Sequence, residues 1–144
     1  MGRAVSRVEH PGFQELDEQD RELIALASAA IRQAWRTDRH SVGAAVLAGS
    51  GKAYTGVNVE SCAYGPCAEP VAIGAAAAHG ETEFLRIVAV RGGETGPSIL
   101  APCGNCRQLL ADYAPEAAVI LEEGGRLLKV RAGDLLPFAY RYFR

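Results

Sequence analysis

The chain has no apolar stretch near the roughly 18 residues that a membrane helix requires, and its longest run, Val71 to Ala78, stops at His79-Gly80. It also lacks any run of Lys or Arg. With 15 basic and 17 acidic side chains the formal net charge is -2, which argues against a nucleic-acid surface, since such surfaces track phosphates with a basic stripe. The first residues have no apolar core of a secretion signal. Met1-Gly2-Arg3-Ala4-Val5-Ser6 matches the loose myristoylation pattern. That match is read as chance, because the pattern is short and one acyl chain anchors only weakly. Internal repeats, low-complexity tracts and linkers are missing too. These absences predict a soluble, cytoplasmic protein with neither membrane nor nucleic acid among its partners. What is present, 144 residues of which 49% are hydrophobic, is enough for one core. Residues 1–12, with Pro11-Gly12 and no periodicity, are expected to form a flexible arm, and residues 13–144 a single domain.

Four cysteines without an export signal point to metal binding or catalysis rather than to disulfides. Three of them share a pattern with an acid and two prolines: Pro66-Cys67-Ala68-Glu69 and, further on, Pro102-Cys103-Gly104-Asn105-Cys106. Cys103 and Cys106 fall on one face at the start of a predicted helix and can share an ion. Cys67 opens another helix, so two N-termini with partial positive charge would face that ion and offset part of the excess charge of three thiolates. Arg107 is a further cation for the same purpose. Zn²⁺ suits such ligands; its structural sites take four protein ligands, whereas catalytic sites keep one position for water. Three thiols with a carboxylate beside them therefore suggest hydrolysis. Cys67 and Glu69 can converge only in the first turn of a helix, and Pro70 fits there because first-turn amides lack intrahelical partners. Glu69 would then reach the water and not the metal. Two other readings stay open. Cys103 and Cys106 could be a redox pair, which leaves Cys67 and Glu69 unexplained. Cys62 could complete a closed structural zinc site, although an inert buried thiol is the commoner fate of such a residue.

Apolar positions from Leu16 to Trp35 recur at helical spacing, with Leu23, Ile24, Ala27, Ala30, Ile31 and Ala34 on one face. Val42 to Leu47 and Ala53 to Val59 flank Gly49-Ser50-Gly51 and read as a hairpin. Cys67 to His79 is an Ala-rich helix, Leu85 to Val90 a short strand, and Cys103 to Tyr113 a helix closed by Ala114-Pro115. Ala117 to Leu121 and Arg126 to Val130 make a second hairpin, followed by a turn at Ala132 to Leu135. The strand, helix, strand crossover predicts a three-layer α/β/α sandwich around a central mixed sheet of about five strands.

An acid two residues after the first zinc ligand, followed by Pro-Cys-x-x-Cys, is a deaminase signature in which three cysteines are permitted. More of the chain resembles the cytidine deaminase family of small zinc enzymes: Val42-Gly43-Ala44-Ala45, Thr55-Gly56-Val57-Asn58-Val59-Glu60, Cys67-Ala68-Glu69, Pro102 to Gln108, and Leu135-Leu136-Pro137. The likeness is strongest to the blasticidin S deaminase branch. The segment from Asn58 to Cys67 is about two residues shorter than in typical cytidine deaminases, and His40-Ser41-Val42 and Gly65-Pro66-Cys67-Ala68-Glu69 read like that branch. Glu60, however, completes the Asn-Val-Glu of nucleoside enzymes. Two departures stand out: Pro70 replaces the Arg that usually follows the catalytic Glu, and His40 stands where a Phe often packs on the pyrimidine.

The resemblance implies one Zn²⁺ per chain on Cys67, Cys103 and Cys106, with Glu69 as both base and acid. It implies hydrolysis of a cytosine nucleoside to its uracil product with loss of ammonia. Asn58 and Glu60 would hold the ribose hydroxyl, the Ala68 amide the pyrimidine, and His40 would be a substrate contact. Tyr140 would reach the site of a neighbouring copy in a homotetramer, against the plainer reading of ordinary packing. The rival substrate is a cytosine antibiotic such as blasticidin S; the rival class is a zinc-stabilised binding module without turnover.

Overall fold

The computed structural model describes residues 14–141, so the expected arm of residues 1–12 lies outside the described residues. Helix α1, Glu18–Ala34, starts on a reciprocal cap: the Asp17 carboxylate accepts from the Asp20 amide at 3.1 Å, and the Asp20 carboxylate accepts from the Asp17 amide at 2.8 Å. Leu23, Ala27 and Ile31, each four residues from the next, form its buried stripe. Strands β1, Val42–Ala48, and β2, Ala53–Val57, form the expected hairpin, which turns through Gly51 at φ +88°. The second strand ends before Asn58, two residues short of the predicted Val59, because Asn58 turns its amide back to the Val42 carbonyl.

Helix α2, Ala68–Ala78, leads to β3, Phe84–Arg91. A short β4, Ser98–Leu100, precedes α3, Gly104–Tyr113; then come β5, Ala118–Glu123, β6, Arg126–Arg131, and a 3-10 turn over Ala132–Leu135. The sheet runs β2-β1-β3-β5-β6, with β4 paired to the end of β3. All pairs are antiparallel except β3 with β5, which the crossover through α3 makes parallel. The sheet therefore has six strands, one more than expected. The extra strand of three residues follows Gly96-Pro97 and is too short to show a period of two.

The two faces separate cleanly. Ala45, Val88, Val90 and Ile120 pack with Leu23 and Ala27 of α1. Ala44, Val46, Ile87 and Val119, one residue out of phase, pack with Ala72, Ile73 and Ala76 of α2 and Leu110 of α3. This is the predicted three-layer α/β/α sandwich. β1 is covered on both sides, so it reads as an unbroken run of small apolar residues rather than an alternation. Two glycines let the helices approach. A Cβ on Gly43 would collide with the Ala27 carbonyl of α1, and one on Gly56 would lie 2.5 Å from the Ala72 amide nitrogen of α2.

One end of α1 is held by charge. Asp20 is fully buried and pairs with Arg86 of β3 at 2.7 Å and Lys129 of β6 at 2.8 Å, while the more exposed Asp17 also reaches Arg86 at 2.7 Å. Asp20→Ala leaves two cations without their buried partner and should cost about 3–5 kcal/mol, read as a lower denaturant midpoint. The hydrogen bond from Arg86, with that from the Asp20 amide, holds the Asp17 carboxyl below the usual range. A depressed carboxyl stabilises above its unfolded value of about 4, and that contribution fades as the pH drops through the folded value, so acid should weaken this corner.

Candidate metal centre and active-site cleft

Both ligand-bearing helices begin on a cysteine. Cys67 is the N-cap of α2 and Cys103 the N-cap of α3; each has extended backbone, and neither side chain caps its helix by a hydrogen bond. That leaves both sulfurs free to face one another, and they lie 3.6 Å apart. Cys106, two residues into α3 after Gly104, is fully buried behind them, and the three sulfurs all fall within 4.8 Å of one another. Tetrahedral zinc with bonds of about 2.3 Å separates two sulfurs by roughly 3.8 Å, so this donor set fits the ion. Cys62 is exposed and stands outside the group. The closed four-cysteine site is therefore not what the chain folds into, and Cys103 and Cys106 are not an isolated pair, since Cys67 shares their cluster. The expectation that Cys62 is a buried inert thiol is also corrected: it sits in the open loop between Asn58 and Cys67, where no apolar layer covers it.

The electrostatics of the cluster suit a cation. Burial, with the nearby Cys103 thiol, pushes Cys67 above the ordinary thiol range. Burial and the Glu69 carboxylate push Cys106 much further up. Burial also opposes ionisation of Cys103, but hydrogen bonds, first from the Cys106 amide, outweigh it and hold that thiol below its usual range. A metal ion bound by the three sulfurs would favour their thiolate forms against that burial.

Glu69 is the second residue of α2, 6% exposed, and its Oε2 accepts from the Cys106 thiol at 3.5 Å. Pro70 sits third in the same helix, inside the turn that tolerates it. The acid thus meets the sulfur cluster through the first turn, as its spacing predicted. The surrounding cleft has a volume of about 240 Å³; Glu69, Cys67, Ala68 and Cys103 form one wall, and Ser41, Val42, Asn58 and Glu60 another.

Asn58 is locked in place. Its Oδ1 accepts from the Ser41 and Val42 amides at 2.8 and 2.9 Å, and its Nδ2 donates to Glu60 Oε1 at 3.1 Å. His40 is not part of the cleft lining; its Nδ1 donates to the Asn58 carbonyl at 2.7 Å from behind. Tyr140 also lies apart from the cleft, 71% exposed. Arg107 makes its hydrogen bonds to the Pro102 and Leu135 carbonyls, not to a sulfur. Leu100 and Ala101 line the cleft without having been singled out in the sequence. They follow the unrecognised β4, and the only signal was their place just before Pro102. A larger hollow of about 430 Å³ lies at the far end of α1 near Trp35 and Pro97, with no sulfur in its lining.

A family model for the cytidine and deoxycytidylate deaminase zinc-binding region matches residues 17–122. Among curated relatives, blasticidin-S deaminase of Bacillus cereus is 37% identical over 132 residues, covering 87% of this chain and 94% of the relative. Cytidine deaminase of Mycobacterium tuberculosis is 39% identical over 111 residues, covering 71% of this chain and 74% of the relative. The crystal structure of that cytidine deaminase superposes with a TM-score of 0.71 at 34% identity, covering 87% of this chain and 99% of the other. Cytidine deaminase from Burkholderia pseudomallei gives 0.69 at 34% identity, covering 87% and 100%. Motif order, a three-sulfur cluster with its adjoining acid, and the whole sandwich agree, and the chain belongs to the cytidine and deoxycytidylate deaminase family.

Proposed function

We propose that the protein is a zinc-dependent hydrolase that converts a cytosine nucleoside to its uracil counterpart and releases ammonia. The observation that carries this reading is the Glu69 carboxylate set against the Cys67, Cys103 and Cys106 sulfurs, with Asn58 and Glu60 across the same cleft. Cys67, Cys103 and Cys106 would hold the zinc, which when bound would supply Lewis acidity to acidify a water. Glu69 takes a proton from the attacking water and delivers it to ring N3. With the C4–O bond formed in that attack, Glu69 then takes the proton of the new C4 hydroxyl and passes it to the amine, so that the C4–N bond breaks, ammonia leaves and the carbonyl forms.

The Ala68 amide, at the first position of α2, has no intrahelical acceptor and can donate to the pyrimidine. Asn58 Oδ1 is spent on two amides, so its task is to aim Glu60, which retains a second oxygen for a sugar hydroxyl. His40 supports this wall from outside. The same reading places the protein in the cytoplasm, in pyrimidine salvage, as a homotetramer in which Tyr140 reaches a neighbouring cleft. The exposure of Tyr140 and of Phe138 in the single chain supports that last point.

A panel of cytidine, deoxycytidine, cytosine, CMP and blasticidin S, read by absorbance and ammonia, tests the proposal. Turnover of cytidine or deoxycytidine is the expected result. Blasticidin S as the preferred substrate would establish the second reading, which the Bacillus cereus relative favours. Zinc loss that unfolds the protein, with no deamination of any compound, would establish a binding module. The named cleft residues include Glu60 and Glu69 but no Lys or Arg. CMP should therefore react at least about tenfold less efficiently than cytidine, since its phosphate meets carboxylates with no cation among the lining residues. Glu60→Gln should lower kcat/KM on substrates with a free ribose hydroxyl by roughly tenfold to a hundredfold, the worth of a charged hydrogen bond. Analogues without that hydroxyl should be little changed, and an equal loss on every substrate would make Glu60 a structural residue.

A further inference from the structure

Arg107 and Gln108, the two residues that follow the buried ligand Cys106 on α3, both bind carbonyls near the end of the chain. Arg107 Nη1 donates to the Leu135 carbonyl at 3.1 Å, and its Nε donates to the Pro102 carbonyl at 2.9 Å, in the peptide just before Cys103. Gln108 Nε2 donates to the Tyr140 carbonyl at 2.9 Å. The segment held in this way has few other ties. Among the described residues, 136–141 belong to no helix or strand and show a turn at 137–138. Phe138 is fully exposed at φ +55°, a conformation that a bulky side chain holds only when its surroundings impose it.

We propose that Arg107 is a positioning residue that couples occupancy of the three-sulfur site to the order of segment 136–141. One planar guanidinium spans the peptide that presents Cys103 and the last carbonyl of the 3-10 turn, so loosening either end frees the other. Coupling of this kind is reciprocal: the ion steadies the segment, and the segment slows loss of the ion. The plainer role for this arginine is charge alone, offsetting thiolates. Lysine distinguishes the two, because it keeps the charge but lacks the fork that reaches two carbonyls in different directions. The inference rests on the reading that Cys67, Cys103 and Cys106 hold zinc.

The test compares wild type, Arg107→Lys, Arg107→Gln and Gln108→Ala as full-length, zinc-loaded proteins. Three readouts are taken: zinc release to a chromogenic chelator, the thiolate absorption of the cobalt(II)-substituted form, and chymotryptic cleavage mapped by mass. Lys and Gln at position 107 should both release zinc roughly ten- to a hundredfold faster, the usual effect of losing a partner behind a metal ligand. Both should shift the cobalt spectrum and speed cleavage after Phe138 and Tyr140 while cleavage after Tyr54 and Phe84 stays slow. Gln108→Ala, which removes the exposed ties to the Tyr140 carbonyl and to Asp112 Oδ1, should speed the same two cleavages and keeps the inference testable if the arginine variants fail to fold. Wild-type release restored by lysine, cleavage that rises equally throughout the chain, or a Gln108→Ala segment cut no faster than wild type would overturn the coupling. Wild type that binds no zinc would instead overturn the metal reading beneath it.

Discussion

Glu69→Ala should cut ammonia release from cytidine by roughly 10²–10⁴-fold, the usual worth of a positioned acid-base group, while zinc content stays at one ion per chain. The two halves of that result have separate physical causes. Glu69 is no member of the sulfur group, so its removal leaves all three ligands in place. Its carboxylate is nearly buried, set beside the Cys106 sulfur and part of the cleft lining, where a water must exchange protons with the substrate. Glu69→Gln keeps the shape and loses the basicity, and should be as inactive as the alanine form. A glutamine variant with wild-type turnover would remove Glu69 from the mechanism.

Loss of the ion should be the second large effect, reached either by chelation or by Cys106→Ser. Cys106 is fully buried, and serine offers a harder, weaker ligand of nearly the same shape. Activity should fall to background and zinc content to a small fraction of the protein. Stability should fall as well, because an ion joining Cys67 to Cys103 closes a loop of 36 residues that contains all of α2 and β3. By analogy with a covalent cross-link of that span, the closure contributes about 4 kcal/mol, and its loss lowers Tm by about 10 °C for a chain of this size. Scanning calorimetry before and after chelation measures this directly. An unchanged melting temperature together with full activity would show that the sulfurs carry no functional ion.

The parts of the site that could be read from the sequence are those written in local spacing. Cys103-Gly104-Asn105-Cys106 and Cys67-Ala68-Glu69 each place their groups within one helical turn, so short-range geometry predicted both clusters and the prolines beside them. Helical and hairpin periodicity likewise located the three helices and five of the six strands. Contacts between distant segments were not legible. Asp20 meets Arg86 across 66 positions, and Lys129 is more distant still, so nothing in the local pattern marks α1 as held by charge. Arg107 was expected to offset the thiolates; its bond to the Leu135 carbonyl could not be read, because the 3-10 turn that packs beside α3 presents a carbonyl no sequence spacing reveals. The resemblance gave His40 as a substrate contact; its bond to the Asn58 carbonyl, 18 positions away, is one that no local spacing marks.

Gly43 and Gly56 lie on paired strands and face opposite helices, so the sandwich is stripped to bare backbone on both sides a few residues from Asn58. A saturation screen for inactive variants would score these two glycines beside Glu69, although neither carries any reactive group. Sorting such a screen by protein abundance would separate them: a methyl group there evicts a helix, while the acid's loss leaves a well-formed but idle enzyme.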